Sequence, residues 1–143
     1  MIDKTKQFQL YEFIKARRCG VVSTVSRGGA PEAAFVSLAV TPDLELLFET
    51  LNMTRKYENL QRDGRVAIVI GGDSDKTLQV EGLADEPDKF HLDDLKSVYY
   101  AMIPENRSHD GWPGLTYMRV RPTWIRLSDY GAPWSVEEFR FDR

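Results

Sequence analysis

Thr50, Thr54, Arg55 and Lys56 lie close together in the chain, and between them they offer what a phosphate group needs. A helix starting at Thr54 would present unpaired backbone N–H groups and a partial positive charge, to which Arg55 adds a forked donor and Lys56 a point charge. The run Arg55 to Arg62, closed by Asp63-Gly64, has the composition of such a helix, with Thr54 competent to cap it. The same residues also make a plain cap followed by two solvent-exposed cations. Spacing alone leaves both readings open, and the plainer one is commoner.

Other chemistry is sparse, and no catalytic residue is assigned. The chain has no Gly-rich phosphate loop ending in Lys-Ser or Lys-Thr, no G-x-G-x-x-G, no H-E-x-x-H and no G-x-S-x-G, which removes Rossmann, kinase and hydrolase readings. His91 and His109 are the only histidines and Cys19 the only cysteine, so no metal site is expected, and both histidines read as ordinary polar residues. The acidic group Asp85, Glu86, Asp88, Asp93 and Asp94 reads as a solvated helix entrance. Lys76 reads as an exposed turn lysine, and Trp112, Tyr130 and Trp134 as loop-packing aromatics that could also face a flat ligand.

Positioning these residues falls to a mostly β chain. Leu10, Phe13 and Ile14 mark an amphipathic helix over Asp3 to Arg18. Val21 to Ser26 and Pro31 to Val40 form a hairpin around Arg27-Gly28-Gly29-Ala30, and Leu44 to Thr50 supply a third strand antiparallel to the second. Val66 to Ile70 and Thr77 to Ala84 are the next two strands. Asp88 opens a helix carrying Leu95, Val98, Tyr99 and Met102, which Pro104 ends. Beyond it the apolar parity reverses between Met118/Val120 and Ile125/Leu127, so a bulge or bend belongs near Pro122. Trp134 to Phe141 offer a last strand. The fold class is mainly β (α+β): a six- or seven-stranded antiparallel barrel with a few peripheral helices.

Composition agrees. The 143 residues are 42% hydrophobic and 29% charged, with a net charge of −3, which suits one globular domain over residues 1–143. An acidic chain of pI near 5.4 argues against nucleic acid as a partner. The longest aliphatic run, Val66 to Ile70, is far short of a membrane span, so no membrane association and a cytoplasmic location are expected.

The ordered set Phe48-Glu49-Thr50, Thr54-Arg55-Lys56, Asn59-Leu60, Arg65-Val66-Ala67 and Gln79-Val80-Glu81-Gly82-x-Ala84 resembles the pyridoxamine 5′-phosphate oxidase-like, FMN-binding split β-barrel family. The resemblance covers about Cys19 to Glu86, with an echo at Arg119 to Asp129. It implies a split barrel that binds FMN, and a homodimer with flavin sites at its interface. Thr50, Thr54, Arg55 and Lys56 would hold the phosphate and ribityl chain. Ala34, Phe35, Val36 and Ser37 would line the isoalloxazine with their backbone, and Thr77, also a cofactor-binding position, would stand where the authentic oxidase has a glutamine near the start of the fifth strand. It further implies an FMN-dependent oxidoreductase with NADH or NADPH as donor. The alternatives are a non-catalytic flavin-binding or sensing module and a deazaflavin-dependent reductase on the same barrel. Ala34 and Ala39 replace the Arg and Lys of the authentic oxidase, so the chain is similar to the short, general-stress-protein-like members that lack the vitamin site.

Overall fold

The computed structural model describes residues 2–142 of the chain. Helix α1 (Lys4–Arg17) is capped by the Asp3 carboxylate, which accepts from the Lys6 amide at 2.8 Å, and it buries Leu10 and Ile14. It ends at Arg18, a non-glycine residue in the left-handed region at φ 60°. From there the chain enters the hairpin β1 (Cys19–Val25) and β2 (Pro31–Ser37), paired from Cys19↔Ser37 to Val25↔Pro31.

The expected second strand, Pro31 to Val40, is in fact two. Leu38 breaks it, giving its amide to the Arg18 carbonyl at 2.9 Å and its side chain to the core. The short β3 (Ala39–Val40) then pairs with β4 (Leu46–Leu51), so only Ala39 and Val40 meet that strand. Leu44, expected to begin β4, lies in the turn before it at φ 66°, where its amide closes on the Thr41 carbonyl at 2.8 Å.

After β4 come α2 (Arg55–Arg62), β5 (Arg65–Gly71), β6 (Lys76–Asp85), α3 (Lys89–Met102), a 3₁₀ turn (Pro104–His109), β7 (Leu115–Asp129) and β8 (Ser135–Arg140). The sheet order is β2-β1-β5-β6-β7-β4-β3, with β8 added beside β7, and all its pairings are antiparallel. The parity reversal is visible as a register shift: Glu81 opposes Trp124 while Gly82 opposes Pro122, leaving Thr123 as the extra residue. A Cβ at Gly82 would lie 2.4 Å from the Arg121 carbonyl oxygen, so this close approach admits glycine only.

The curled sheet wraps a core that includes Val22, Leu38, Leu46, Phe48, Ile68, Ile70, Leu78, Val80, Met118 and Ile125. A second cluster, Ala39, Leu47, Tyr99, Tyr100 and Ile103, lies where α3 covers the other face of β3 and β4. That covering helix is why Leu47 is buried although it alternates with Leu46 and Phe48. The ends of the sheet, β2 and β3, are joined by the chain at Leu38 rather than by a hydrogen-bond ladder, which makes the barrel a split one. Among the described residues no helix is long and apolar enough to cross a membrane.

Candidate functional site

The joint between β4 and α2 is built by two threonines. Thr54 caps α2, and its hydroxyl proton goes to the Leu51 carbonyl at 2.8 Å. A hydroxyl has one proton, so the 2.9 Å contact between the Thr50 and Thr54 hydroxyls must be donated by Thr50. The Thr54 oxygen also accepts from the Tyr57 amide at 3.4 Å. Both hydroxyl protons are thus committed within the joint, and Thr50 is buried. Thr50 thereby ties β4 to the start of α2; the phosphate contact that the resemblance implies for it is a separate role. The amides of Arg55 and Lys56, at the first positions of the helix, have no intrahelical acceptor.

Beside this helix start lies a cleft of about 370 Å³, lined by Thr24, Glu32, Ala33, Ala34, Met53, Thr54, Arg55 and Lys56. Its two cations differ. Arg55 is 75% exposed and pairs with the Glu32 carboxylate at 3.0 Å. Lys56 is half-buried, and burial pulls its pKa below the usual lysine value. It has no hydrogen bond or ion pair among the described residues. A partly desolvated ammonium without a counter-charge is electrostatically incomplete, and an anion in the cleft would complete it.

Glu32 and Asn59 are the site residues that reading the sequence for chemistry missed. Asn59 is buried, and its amide donates to the Thr24 hydroxyl at 2.9 Å and to the Glu32 carboxylate at 2.8 Å. A signal for Glu32 existed: in β2 it shares the inward parity of Ala34 and Val36, an unusual place for a carboxylate. Asn59 stands one helical turn after Arg55, on the same face of α2.

The remaining expected positions divide. Ala34 lines the cleft. Val36 points into the core, Ser37 is half-buried at the far end of β2, and Phe35 projects from the opposite face at 73% exposure. Because β2 ends the sheet, one side of its backbone carries no ladder, so Ala34 to Ser37 present main-chain groups along an edge that starts at the cleft. Thr77 is not brought there. On β6 it pairs with Gly71 and Ser128, with β1 and β5 between it and β2, so a single chain does not place it at the cleft. Ala39 is buried beneath α3 and lies outside the cleft as well.

Lys76 lies on a separate groove with Arg17, Phe8 and Leu127. His91 bonds its helix-capping Asp88 at 2.7 Å. His109 bonds Glu49 at 2.5 Å, and its ring lies tilted against Trp112 with centroids 4.1 Å apart, leaving Trp112 about half exposed. Tyr130 and Trp134, by contrast, are 67% and 72% exposed. No group of three or more metal-ligating side chains occurs among the described residues.

A second surface adjoins the first. Phe35 of β2, Val21 of β1 and Val69 of β5 stand in one cross-strand row on the outer face of the sheet, exposed at 73%, 39% and 48%. Ala33, Ser23 and Ala67 form the row beside it, and Leu83 continues the patch on β6 at 48% exposure. Four large apolar side chains on one open sheet face exceed the scattered apolar exposure of an ordinary surface.

The antiparallel sheet curled into a split barrel, with its helix-start cleft, defines the class. The profile of the family described as pyridoxamine 5′-phosphate oxidase matches residues 8–129, and the chain belongs to that family. Among solved structures, a heme binding protein from Mycobacterium smegmatis superposes with a TM-score of 0.80 at 17% identity, over 98% of this chain. The chain spans only 59% of that protein. General Stress Protein 26 from Bacillus anthracis gives a TM-score of 0.72 at 22% identity, covering 95% of this chain and 98% of that one. A pyridoxamine 5′-phosphate oxidase-related, FMN binding protein from Nostoc punctiforme gives 0.67 at 14% identity, covering 97% and 96%. No curated protein matches.

Proposed function

We propose that this chain is an FMN-binding oxidoreductase working as a homodimer. The observation that carries the proposal is Lys56, a half-buried cation without a partner among the described residues, beside Arg55 and the open amides of α2. These groups would take the phosphate. The unladdered edge of β2 from Ala34 to Ser37 would run along the ring system, and the Phe35–Val21–Val69 face of a second copy would close over it. Family membership and the FMN-binding Nostoc relative support the same assignment.

When bound, the flavin supplies the redox chemistry. The protein fixes the phosphate, orients the ring and excludes water. In this reading NADH or NADPH is the donor, and pyridoxamine phosphate is a poor substrate. A vitamin phosphate would need a second cationic clamp beside the flavin, and Ala34 and Ala39 supply no charge.

Purified protein reconstituted with FMN should retain one chromophore per subunit through gel filtration. Its visible absorption should bleach anaerobically with NADH or NADPH. Failure to retain flavin at micromolar FMN removes the proposal, and retention without bleaching by either donor reduces it to a flavin-binding module.

A further inference from the structure

Residues from two strands and a helix converge on one carboxylate in the wall of the cleft. Thr24 of β1 and Glu32 of β2 are direct cross-strand partners, and the side-chain amide of Asn59 spans the pair from α2. Its Nδ2 donates to Thr24 Oγ1 at 2.9 Å and to Glu32 Oε1 at 2.8 Å, which uses both amide protons. Asn59 and Thr24 are buried, so this side of the carboxylate is fixed from behind. Glu32 Oε2 meets Nη1 of Arg55 at 3.0 Å. Arg55 and Asn59 thus stand one turn apart on a single face of α2, and each holds one oxygen of the same carboxylate. The guanidinium has no other hydrogen bond or ion pair among the described residues. A 75% exposed arginine on a long stem has many rotamers open to it, and Glu32 is the group that confines this one to the cleft.

Resting on the flavin reading above, we infer that Glu32 is a positioning residue for the phosphate of FMN, acting through Arg55 by holding the guanidinium at the cleft with its remaining N–H groups free for the phosphate oxygens. A guanidinium carries five N–H donors in a rigid plane, so one edge can stay on the carboxylate while another meets the phosphate. The charges then run in the order carboxylate, guanidinium, phosphate, which places the dianion on the positive side of the pair and beside Lys56. Confining the arginine before binding avoids the ordering cost of a long side chain, an effect of roughly three- to tenfold in affinity. Without Arg55 the same carboxylate would simply repel the phosphate. Glu32 therefore has two opposite effects, and Arg55 decides which one is seen.

A double-mutant cycle tests this, with FMN and riboflavin binding to wild type, Glu32→Gln, Arg55→Gln and the double variant followed by quenching of flavin fluorescence. Glutamine keeps an oxygen for Asn59 and puts an N–H group, which cannot accept, opposite Arg55. With Arg55 present, Glu32→Gln is expected to weaken FMN by roughly threefold or more and to leave riboflavin unchanged. In the Arg55→Gln background that loss is expected to disappear or to reverse into tighter binding. A matching loss of FMN and riboflavin would make Glu32 a structural residue and overturns the proposal, as does the same loss of FMN with and without Arg55. Unchanged or tighter FMN binding by Glu32→Gln with Arg55 present overturns it too. If Arg55→Gln alone binds FMN as wild type does, Arg55 does not read the phosphate, and the proposal falls while the flavin reading stands. Failure of wild type to bind either flavin removes the flavin reading itself.

Discussion

The hydroxyls of Thr50 and Thr54 lie 2.9 Å apart, and this contact ties the last turn of a barrel strand to the first turn of the helix that carries both candidate phosphate cations. Because Thr54 spends its proton on the Leu51 carbonyl, Thr50 is the donor, and the two side chains form one directed chain of hydrogen bonds. The position of Arg55 and Lys56 is therefore set by two threonines whose hydroxyl protons are already committed within the joint.

Removing the cap tests that joint. Thr54→Ala loses the acceptor for the Tyr57 amide and leaves Thr50 without its partner, so thermal or denaturant unfolding should show a loss of about 0.5–2 kcal/mol. Thr54→Ser should restore most of it. Indistinguishable stabilities for wild type and Thr54→Ala would show that the joint is held elsewhere.

Alkaline pH should unfold the protein through its tyrosines. Burial raises the pKa of Tyr99, Tyr100 and Tyr117, which pack edge to face around the carboxylate of Glu49, while a hydrogen bond to Glu86 raises that of Tyr57. A phenol with a raised folded pKa holds its proton longer in the native state than in the unfolded chain. Its contribution is present in full below about pH 10 and is lost as pH rises above that value. Absorbance at the tyrosinate band should show Tyr99, Tyr100 and Tyr117 ionising late and together with loss of tertiary structure, and Tyr57 ionising late in the intact fold. Ordinary titration of all six tyrosines in the intact fold would refute the arrangement.

Much of the fold was legible because its signals are local. The Asp88 cap, the α3 face with Tyr99 and the parity reversal at Pro122 all follow from neighbouring residues. Leu38 and Leu44 were misread because their conformations answer to distant partners: the α1 terminus for one, and turn closure over the core for the other. Arg55 and Lys56 were legible as cations at a helix start. The role of Glu32 was not, because its partners Thr24, Arg55 and Asn59 come from another strand and from α2, and only folding brings them together. Tyr100 was missed for a similar reason: it faces Glu49 and Tyr117 across a layer that the helix period alone does not reveal.

The outer sheet face should be where two copies meet. Val69→Glu puts a charge at the β5 end of the Phe35–Val21–Val69 row, on a side chain that already faces outward in the single chain, so the fold should survive. Sedimentation at micromolar concentration should give about twice 16.4 kDa for wild type and the monomer mass for the variant. A dimer unaffected by Val69→Glu would place the interface on another surface.

The central claim is that Lys56, together with Arg55, reads a flavin's phosphate, and calorimetric titration of wild type and Lys56→Met with FMN and with riboflavin tests it most directly. A charge-assisted contact of roughly 1.5–3 kcal/mol predicts that Lys56→Met weakens FMN by roughly 10- to 150-fold and leaves riboflavin unchanged. Equal losses for both ligands, or a wild-type protein that does not distinguish FMN from riboflavin, would contradict it.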